Sequence, residues 1–216
     1  MGKRVTTTRR NIRDLARTRE RILKAALAEF SARGFAGART ERIARRARVN
    51  KRMLFYCFGS KRALHAEVLR RKIADKAEAI ASTPEDLAAA LKYWAEIGTG
   101  DGDWIRMHEW EALEPGAWPT VARAERRRLF VSVHTRLRRA QLAGAVAPGV
   151  NLEQLFLSVI ALSAFPAAFP QFTRLITGFG PRHPRFRRAR ARFLGWLGAR
   201  MAAVAPRPLR KRRKPG

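Results

Sequence analysis

The sequence predicts an all-α protein, built as a small three-helix head followed by a larger helical domain. Apolar residues recur every three or four positions along most of the 216 residues, and no segment shows the strict alternation of a strand. Glycines, prolines and capping residues divide this pattern into about nine helices. The chain is 46% hydrophobic, which is enough for a buried core and argues against a wholly disordered basic protein.

The first part of the chain predicts a polar arm and then three helices. Residues 1–17 are rich in Arg and Thr, and we expect a basic, disordered arm there. Thr18 is a suitable N-cap for the first helix, and Gly34 can take the left-handed conformation that ends it. We interpret residues 18–64 as one domain. The helices predicted within it are 18–33, 40–47 and 50–58.

The rest of the chain predicts six further helices. Ser60 caps the first of them, and Thr83 with Pro84 is a strong start for the next, which we expect to end at Gly98. We expect residues 65–205 to form a second helical domain, followed by a disordered basic tail over 206–216. The predicted helices are 61–81, 83–98, 104–114, 119–143, an apolar helix from 151, and 185–204.

The charge of the chain favours a polyanionic partner. There are 46 basic and 17 acidic residues, a net charge of +29, so nucleic acid is the first partner expected and an anionic membrane the second. Residues 1–80 carry 23 basic and 7 acidic residues, whereas residues 81–114 carry 2 basic and 8 acidic ones. No acidic residue follows Glu153. This distribution predicts a nucleic-acid-binding head, a body with another task and a cationic tail.

The sequence argues against an enzyme and against a metal-binding protein. Cys57 is the only cysteine, so the chain forms neither an internal disulfide nor a Cys-rich zinc site. The four histidines are scattered, which makes a histidine metal cluster improbable. No GxSxG, HExxH, P-loop or dinucleotide pattern occurs. We therefore expect no catalytic residue, no metal and no cofactor, in a protein that is not an enzyme.

One uncharged segment has the length of a membrane span. Residues 154–173 are 20 residues long and mostly apolar, but Pro166 and Pro170 interrupt their second half. We interpret the segment as a buried helix or a subunit interface. The first residues contain no apolar signal core. We expect a cytoplasmic protein without a membrane partner; attachment to a membrane through this segment and the basic tail is the alternative.

Residues 40–58 have the pattern of a helix-turn-helix. Ile43, Ala47, Val49 and Leu54 occupy its buried positions, and Asn50 can cap the second helix, whose first half would enter the major groove of DNA. The exposed residues there are of types that recognise base edges. They are Asn50, Lys51, Arg52, Met53 and Tyr56. The alternative is an ordinary helical hairpin with a solvated basic face.

The longer segment from Thr18 to Leu69 resembles the TetR family of bacterial transcriptional repressors. The resemblance is carried by RERILKAALAEFSARGF, ERIARRARV and LFYCFGSKRALHAEVL, at the family spacing and without a gap. It implies a homodimer that binds a palindromic operator in double-stranded DNA and is released by a small-molecule effector. It also implies DNA contacts from Arg39 and Thr40 at the start of the second helix, and a phosphate contact from Lys61 at the start of the fourth.

Two positions depart from the family pattern. Arg48 replaces the usual glycine of the turn, and a left-handed backbone there would cost about 1 kcal/mol. Phe55 stands where a phosphate-binding tyrosine is common, so that hydroxyl contact is lost. Tyr56 follows it but points elsewhere on the helix. These departures affect the DNA contacts more than the fold.

The second domain contains the candidate effector and dimer residues. We expect aromatic and neighbouring side chains to line an effector pocket; the alternative is that they belong to the core. They are Tyr93, Trp94, Trp104, Met107, His108, Trp110 and Phe165. Two apolar stretches, 152–165 and 185–204, resemble the helix pair that forms the dimer interface in this family.

These expectations give one leading function and one alternative. The leading function is a sequence-specific transcriptional regulator, a repressor that a ligand releases from DNA. The alternative is a nonspecific basic nucleic-acid-binding protein, for which affinity would depend steeply on salt without preference for a palindrome.

Overall fold

The all-α prediction is confirmed. The computed structural model describes residues 3–114 and 122–203, with the side chains of 13–114 and 122–202. These residues form ten helices and no strand. The helices are α1 (Lys3–Gly37), α2 (Thr40–Arg46), α3 (Lys51–Phe58), α4 (Lys61–Ala81), α5 (Leu87–Gly100), α6 (Gly102–Leu113), α7 (Arg123–Leu142), α8 (Leu152–Ala168), α9 (Pro170–Thr177) and α10 (Pro184–Ala203).

The first helix is longer than predicted. α1 begins at Lys3, whereas the sequence predicts a disordered arm over residues 1–17 and a helix start at Thr18. Residues 3–17 contain neither glycine nor proline, so nothing in them interrupts a helix. Residues 1–2 of the predicted arm and the predicted tail, 206–216, lie outside the described residues.

Helix α1 is interrupted where the sequence predicts its end. Gly34 has φ 66°, a left-handed value that only glycine adopts cheaply, and a last turn then reaches Gly37. A side chain at Gly34 would also collide with a neighbour, because its Cβ would lie 2.9 Å from a ring carbon of Trp110. Glycine is therefore required at this position both for its backbone angle and for the close approach of Trp110.

The chain divides into two compact units that do not follow the predicted boundary after residue 64. The head unit contains the residues up to Lys76 together with Asp103–Arg126. The body unit contains Ala77–Gly102 and the residues from Arg127 onward. Helix α6 therefore belongs to the head unit, although the helix before it belongs to the body unit.

Hydrogen bonds to α1 explain why α6 belongs to the head unit. The carbonyl oxygen of Ser31 accepts from Arg106 Nε at 2.9 Å and from Trp110 Nε1 at 3.1 Å. The Ser31 hydroxyl donates to Asp103 Oδ1 at 2.9 Å.

Six large side chains of the head unit are almost fully buried and form its core. They are Ile22, Phe30, Ile43, Leu54, Leu64 and Leu69.

In the body unit, α5 packs against both α8 and α10. Leu91 and Ala95 of α5 form a buried cluster with Leu194 of α10. Gly98 was predicted to end α5, but the helix continues to Gly100. Its role is a close approach: a Cβ at Gly98 would lie 2.2 Å from the carbonyl oxygen of Ser163 in α8.

Two other helix boundaries differ from the prediction. α5 begins at Leu87, capped by Asp86, because the backbone N–H and the hydroxyl of Thr83 bond back to the end of α4. The predicted apolar helix is divided at Phe169 into α8 and α9, with Pro170 at the start of α9. Proline cannot donate the backbone hydrogen bond that would continue α8, and the two helices meet at 84°. This division accounts for ten helices rather than nine.

Candidate DNA interface

Helices α2 and α3 form the predicted helix-turn-helix in the head unit. Ile43 and Ala47 are buried, as is Leu54 on α3, and Val49 in the turn is half-buried. Phe58 at the end of α3 is also buried. The apolar positions that the sequence assigned to this motif therefore face the core, which leaves the opposite side of α3 exposed.

The turn between α2 and α3 has the hydrogen bonds of a Schellman motif, a common helix ending. Val49 N–H donates to Ala44 O at 3.0 Å, and Arg48 N–H donates to Arg45 O at 3.1 Å. Arg48 is in the left-handed conformation with φ 53°, at the position where glycine is usual. The strain expected at Arg48 is therefore present in the structure.

A side chain from α1 stabilises this turn. Arg21 Nε donates to Ala47 O at 3.0 Å, and its terminal nitrogen donates to Ala47 O at 2.6 Å and to Arg48 O at 2.7 Å. These carbonyl groups lie at the end of α2, where a helix leaves acceptors without partners. Arg21 thus satisfies acceptors at the strained turn. The sequence alone does not predict this role, since no local pattern links Arg21 to a turn 26 residues away.

A buried carboxylate positions the start of α2. Glu29 of α1 accepts from the backbone N–H of Arg39 at 3.2 Å and from Arg42 Nε at 2.6 Å. Glu29 is buried, and Arg42 compensates its charge. The arrangement fixes Arg39, whose own guanidinium is exposed and has no hydrogen-bond or ion-pair partner among the described residues.

The predicted reading residues at the start of α3 have partners within the protein. Asn50 Oδ1 accepts from Met53 N–H at 2.7 Å and caps α3. That bond competes with the bidentate contact by which an asparagine reads adenine. Lys51 Nζ lies 2.5 Å from Glu41 Oε1, and this hydrogen bond lowers the pKa of Glu41 below its usual value.

The exposed face of α3 presents Arg52, Met53 and Tyr56. Tyr56 is 74% exposed and Met53 is 36% exposed. Arg52 is exposed and has no ion-pair partner within the described residues. The first turn of α3 contains no acidic residue. A positive helix end that carries a free guanidinium attracts a phosphate or the acceptor edge of guanine.

The other predicted contacts are less accessible. Thr40 is buried, with its hydroxyl directed to Glu41. Lys61 is half-buried: Nζ donates to Ala36 O at 3.4 Å and lies 4.7 Å from the ring centre of Phe35. Phe55 is half-buried and supplies no hydroxyl. The structure therefore brings Arg39, Arg52, Met53 and Tyr56 to the surface more fully than Thr40 or Lys61.

Two arginines were not among the predicted contacts. Arg45 and Arg46 form the last turn of α2, are exposed, and have no acidic partner in the described part of the chain. The basic run ERIARRAR is the signal that could have identified them.

Cys57 is half-buried on α3, with its Sγ 3.9 Å from the sulfur of Met53. Burial raises its pKa, which disfavours the reactive thiolate.

The predicted effector residues are divided between the two units. Trp104, Met107, His108 and Trp110 belong to the head unit, whereas Tyr93, Trp94 and Phe165 belong to the body unit. Met107 is buried, and burial lowers the pKa of His108 below its ordinary value. Trp110 packs on Gly34 and bonds to α1.

The three predicted effector residues of the body unit lie on α5 and α8, which pack against each other. Tyr93 and Trp94 are ring neighbours, and the Tyr93 hydroxyl donates to Ala79 O at 3.0 Å. Phe165 is 47% exposed and packs beside Phe169. Met107 and Trp110 thus contribute to packing in the head unit, and the effector role of the set stays a prediction.

No single helix among the described residues has both the length and the hydropathy of a membrane span. Helices α8 and α9 meet those two criteria only together, and they bend by 84° at their junction.

Comparison with known proteins adds independent findings. The sequence model for bacterial regulatory proteins, tetR family, matches residues 22–68. The chain is 30% identical to the HTH-type transcriptional repressor SCO4008 of Streptomyces coelicolor over 78% of this chain and 88% of that protein. It is 47% identical to the HTH-type transcriptional repressor NicS of Pseudomonas putida over 33% of this chain and 34% of NicS. The crystal structure of SCO4942 from Streptomyces coelicolor superposes with TM-score 0.70 at 27% identity, covering 83% of this chain and 97% of SCO4942.

Proposed function

The chain belongs to the TetR family of bacterial regulatory proteins, and we propose that it is a repressor that binds a palindromic operator and releases it when a small molecule binds. The observation that carries this proposal is the exposed face of α3. Arg52, Met53 and Tyr56 project from a helix that Asn50 caps and that Leu54 anchors in the core. This is how the second helix of a helix-turn-helix presents side chains to the major groove.

Backbone contacts complete the proposed DNA interface. Arg39 precedes α2, and Arg45 and Arg46 end it; all three guanidinium groups are exposed. Such residues bind phosphates, set the position of α3 on the duplex and make affinity dependent on salt.

A homodimer is part of the proposal because a palindrome requires two heads. The body unit exposes large apolar side chains on its last helices, and monomeric proteins rarely leave many such residues in water. They include Leu157, Ile160, Trp196 and Met201. Phe186 and Leu194 from the stretch resembling the family dimer helices are instead buried within their own chain. The proposed interface therefore uses the outward residues of α8 and of the second half of α10.

The proposed response to a ligand follows from the order in which the chain passes through the two units. Helix α6 is hydrogen-bonded to α1 of the head unit, while the chain on both sides of the Asp103–Arg126 segment belongs to the body unit. A molecule that binds the body unit differently in two conformations would act on the head through this segment. We propose that the protein acts in the cytoplasm.

Selection of duplexes from a random pool tests this function. The full-length protein is used to select bound duplexes, which are sequenced and then titrated individually. We expect two-fold symmetric sequences with half-sites about one helical turn apart, bound about 10³-fold more tightly than random duplex in physiological salt. Equal affinity for selected and random duplexes would instead establish the nonspecific alternative.

A further inference from the structure

A groove of about 590 Å³ lies in the body unit between the end of α9 and the first half of α10. Its volume falls within the range of small-molecule sites. Three rings provide its apolar surface: Phe179, Phe186 and Phe193. None of the effector residues predicted from the sequence lines it.

The same groove is strongly basic. Four arginines line it: Arg185, Arg188, Arg190 and Arg192. None of them forms an ion pair with a described acidic residue, and the sequence has no acidic residue after Glu153. The first turn of α10 also lacks an acidic residue. A helix start is the positive end of the helix dipole, so basic side chains are disfavoured there unless an anion is bound.

Arg190 is the most enclosed of these cations. Its terminal nitrogen donates to Leu162 O at 2.8 Å, while its Nε is buried without a hydrogen-bond partner among the described residues. Burial lowers the pKa of Arg190. Arg190 therefore joins this wall of the groove to α8, and the exposed Arg185, Arg188 and Arg192 are the cations open to a bound anion.

We propose that this groove binds an organic anion with an apolar body, its acidic group on the arginines of α10 and its body on the three rings. Given the proposed function, this is the chemical class of the effector. Duplex DNA is a poorer occupant, because the phosphate backbone that it presents makes no use of the phenyl rings that line the groove. The combination of rings and cations within one small groove favours a molecule that contains both an apolar part and an acid.

Two fluorescent probes test the proposal on the full-length protein without DNA. Anilinonaphthalenesulfonate carries aromatic rings and a negative charge, and phenylnaphthylamine has the same rings without the charge. We expect the sulfonate to bind with one site per chain. The variant R188Q/R192Q, which changes two exposed side chains, should weaken its binding about tenfold or more and leave the neutral probe within about twofold.

A matched control removes the same charge elsewhere in the body unit. Arg127 and Arg128 are exposed on α7, and R127Q/R128Q should leave binding of the sulfonate unchanged. Equal weakening in both double variants would overturn the proposal, since attraction to the overall +29 charge would then explain binding. Thermal unfolding of each variant verifies that the fold is retained.

A second titration separates this site from the proposed function. The sulfonate is added to the protein bound to its selected duplex, and release should occur with wild-type protein but not with R188Q/R192Q. Probe binding without any sequence-specific DNA binding would refute the repressor and leave the groove established. Specific DNA binding without probe binding would refute the groove and leave the repressor.

Discussion

At the residue scale, the turn of the helix-turn-helix combines a strained residue with a stabilising one. Arg48 has a left-handed backbone, and Arg21 bonds to the carbonyl groups of Ala47 and Arg48. The strain could be predicted from the sequence, since an arginine stands where the family has glycine. The role of Arg21 could not, because it depends on the distance between two helices. The same holds for Lys51: its type predicts a base contact, but only the fold reveals the Glu41 carboxylate beside it.

Replacement of Arg48 by glycine should stabilise the protein. We expect Arg48→Gly to raise the free energy of unfolding by about 1 kcal/mol, because glycine adopts φ 53° without the Cβ clash. Urea unfolding without DNA measures this. Arg48→Lys keeps the charge and the strain and should show no gain. A glycine variant less stable than the wild type would contradict the assignment of strain.

Freeing the Lys51 ammonium group from Glu41 should weaken the discrimination between operator and random duplex. In Glu41→Gln the ammonium group loses its carboxylate and becomes available to phosphate. We expect higher affinity for random duplex and a plot of log affinity against log salt that is steeper by about one unit for each head on the duplex. Fluorescence anisotropy over a salt series measures both. Glu67→Gln removes one acidic charge from α4 without touching Lys51, so an equal change there would refute the specific role of Glu41.

At the element scale, close packing decides where helices end. The glycine at position 98 suggested a helix end, yet α5 continues to Gly100. This glycine instead allows α8 to approach α5 closely. Sequence alone does not separate these two uses of glycine, since both need a residue without a side chain. The division between α8 and α9 was easier to predict from the sequence, because Pro166 and Pro170 interrupt the apolar stretch. Pro166 is accommodated inside α8, and the helix breaks only at Phe169, before Pro170.

Substitution within α5 should have opposite effects at two neighbouring glycines. Gly98→Ala places a Cβ 2.2 Å from Ser163 O, and we expect a loss of about 1–3 kcal/mol in the free energy of unfolding. Gly100→Ala meets nothing within 4 Å and should be neutral or stabilising by up to about 1 kcal/mol. Urea unfolding of both variants compares them directly. Similar stability of the two would show that α5 and α8 can separate at little cost.

At the scale of the whole molecule, the sequence predicted two functional parts but not their composition. The periodicity of α6 identifies a helix, but its assignment to the head unit depends on hydrogen bonds to Ser31, more than 70 residues earlier. The predicted effector residues are drawn from both units, and their joint role stays a prediction. The groove on α10 was missed because its arginines resemble a solvated basic face until the rings beside them are located.

Charges in the proposed dimer face should separate the protomers. We expect I160E/W196E to sediment as a monomer and to lose the tight binding that two linked heads give to a palindrome, while a single half-site is still bound weakly. Sedimentation velocity and anisotropy measure the two effects. Leu142→Glu adds an acid at another exposed apolar position, on α7, and should remain dimeric. A dimeric I160E/W196E protein would place the interface elsewhere.

The head unit is built from two separate segments of the chain, which limits how it can be isolated by truncation. A fragment that stops at Lys76 would omit Asp103–Arg126 and with it the Trp110 ring that covers Gly34. It would also lack the donors to the Ser31 carbonyl, Arg106 and Trp110. An autonomously folding DNA-binding module would therefore need this later segment grafted back, by a linker that bypasses α5. A simple N-terminal truncation product would be a poor substitute for the intact regulator in binding assays.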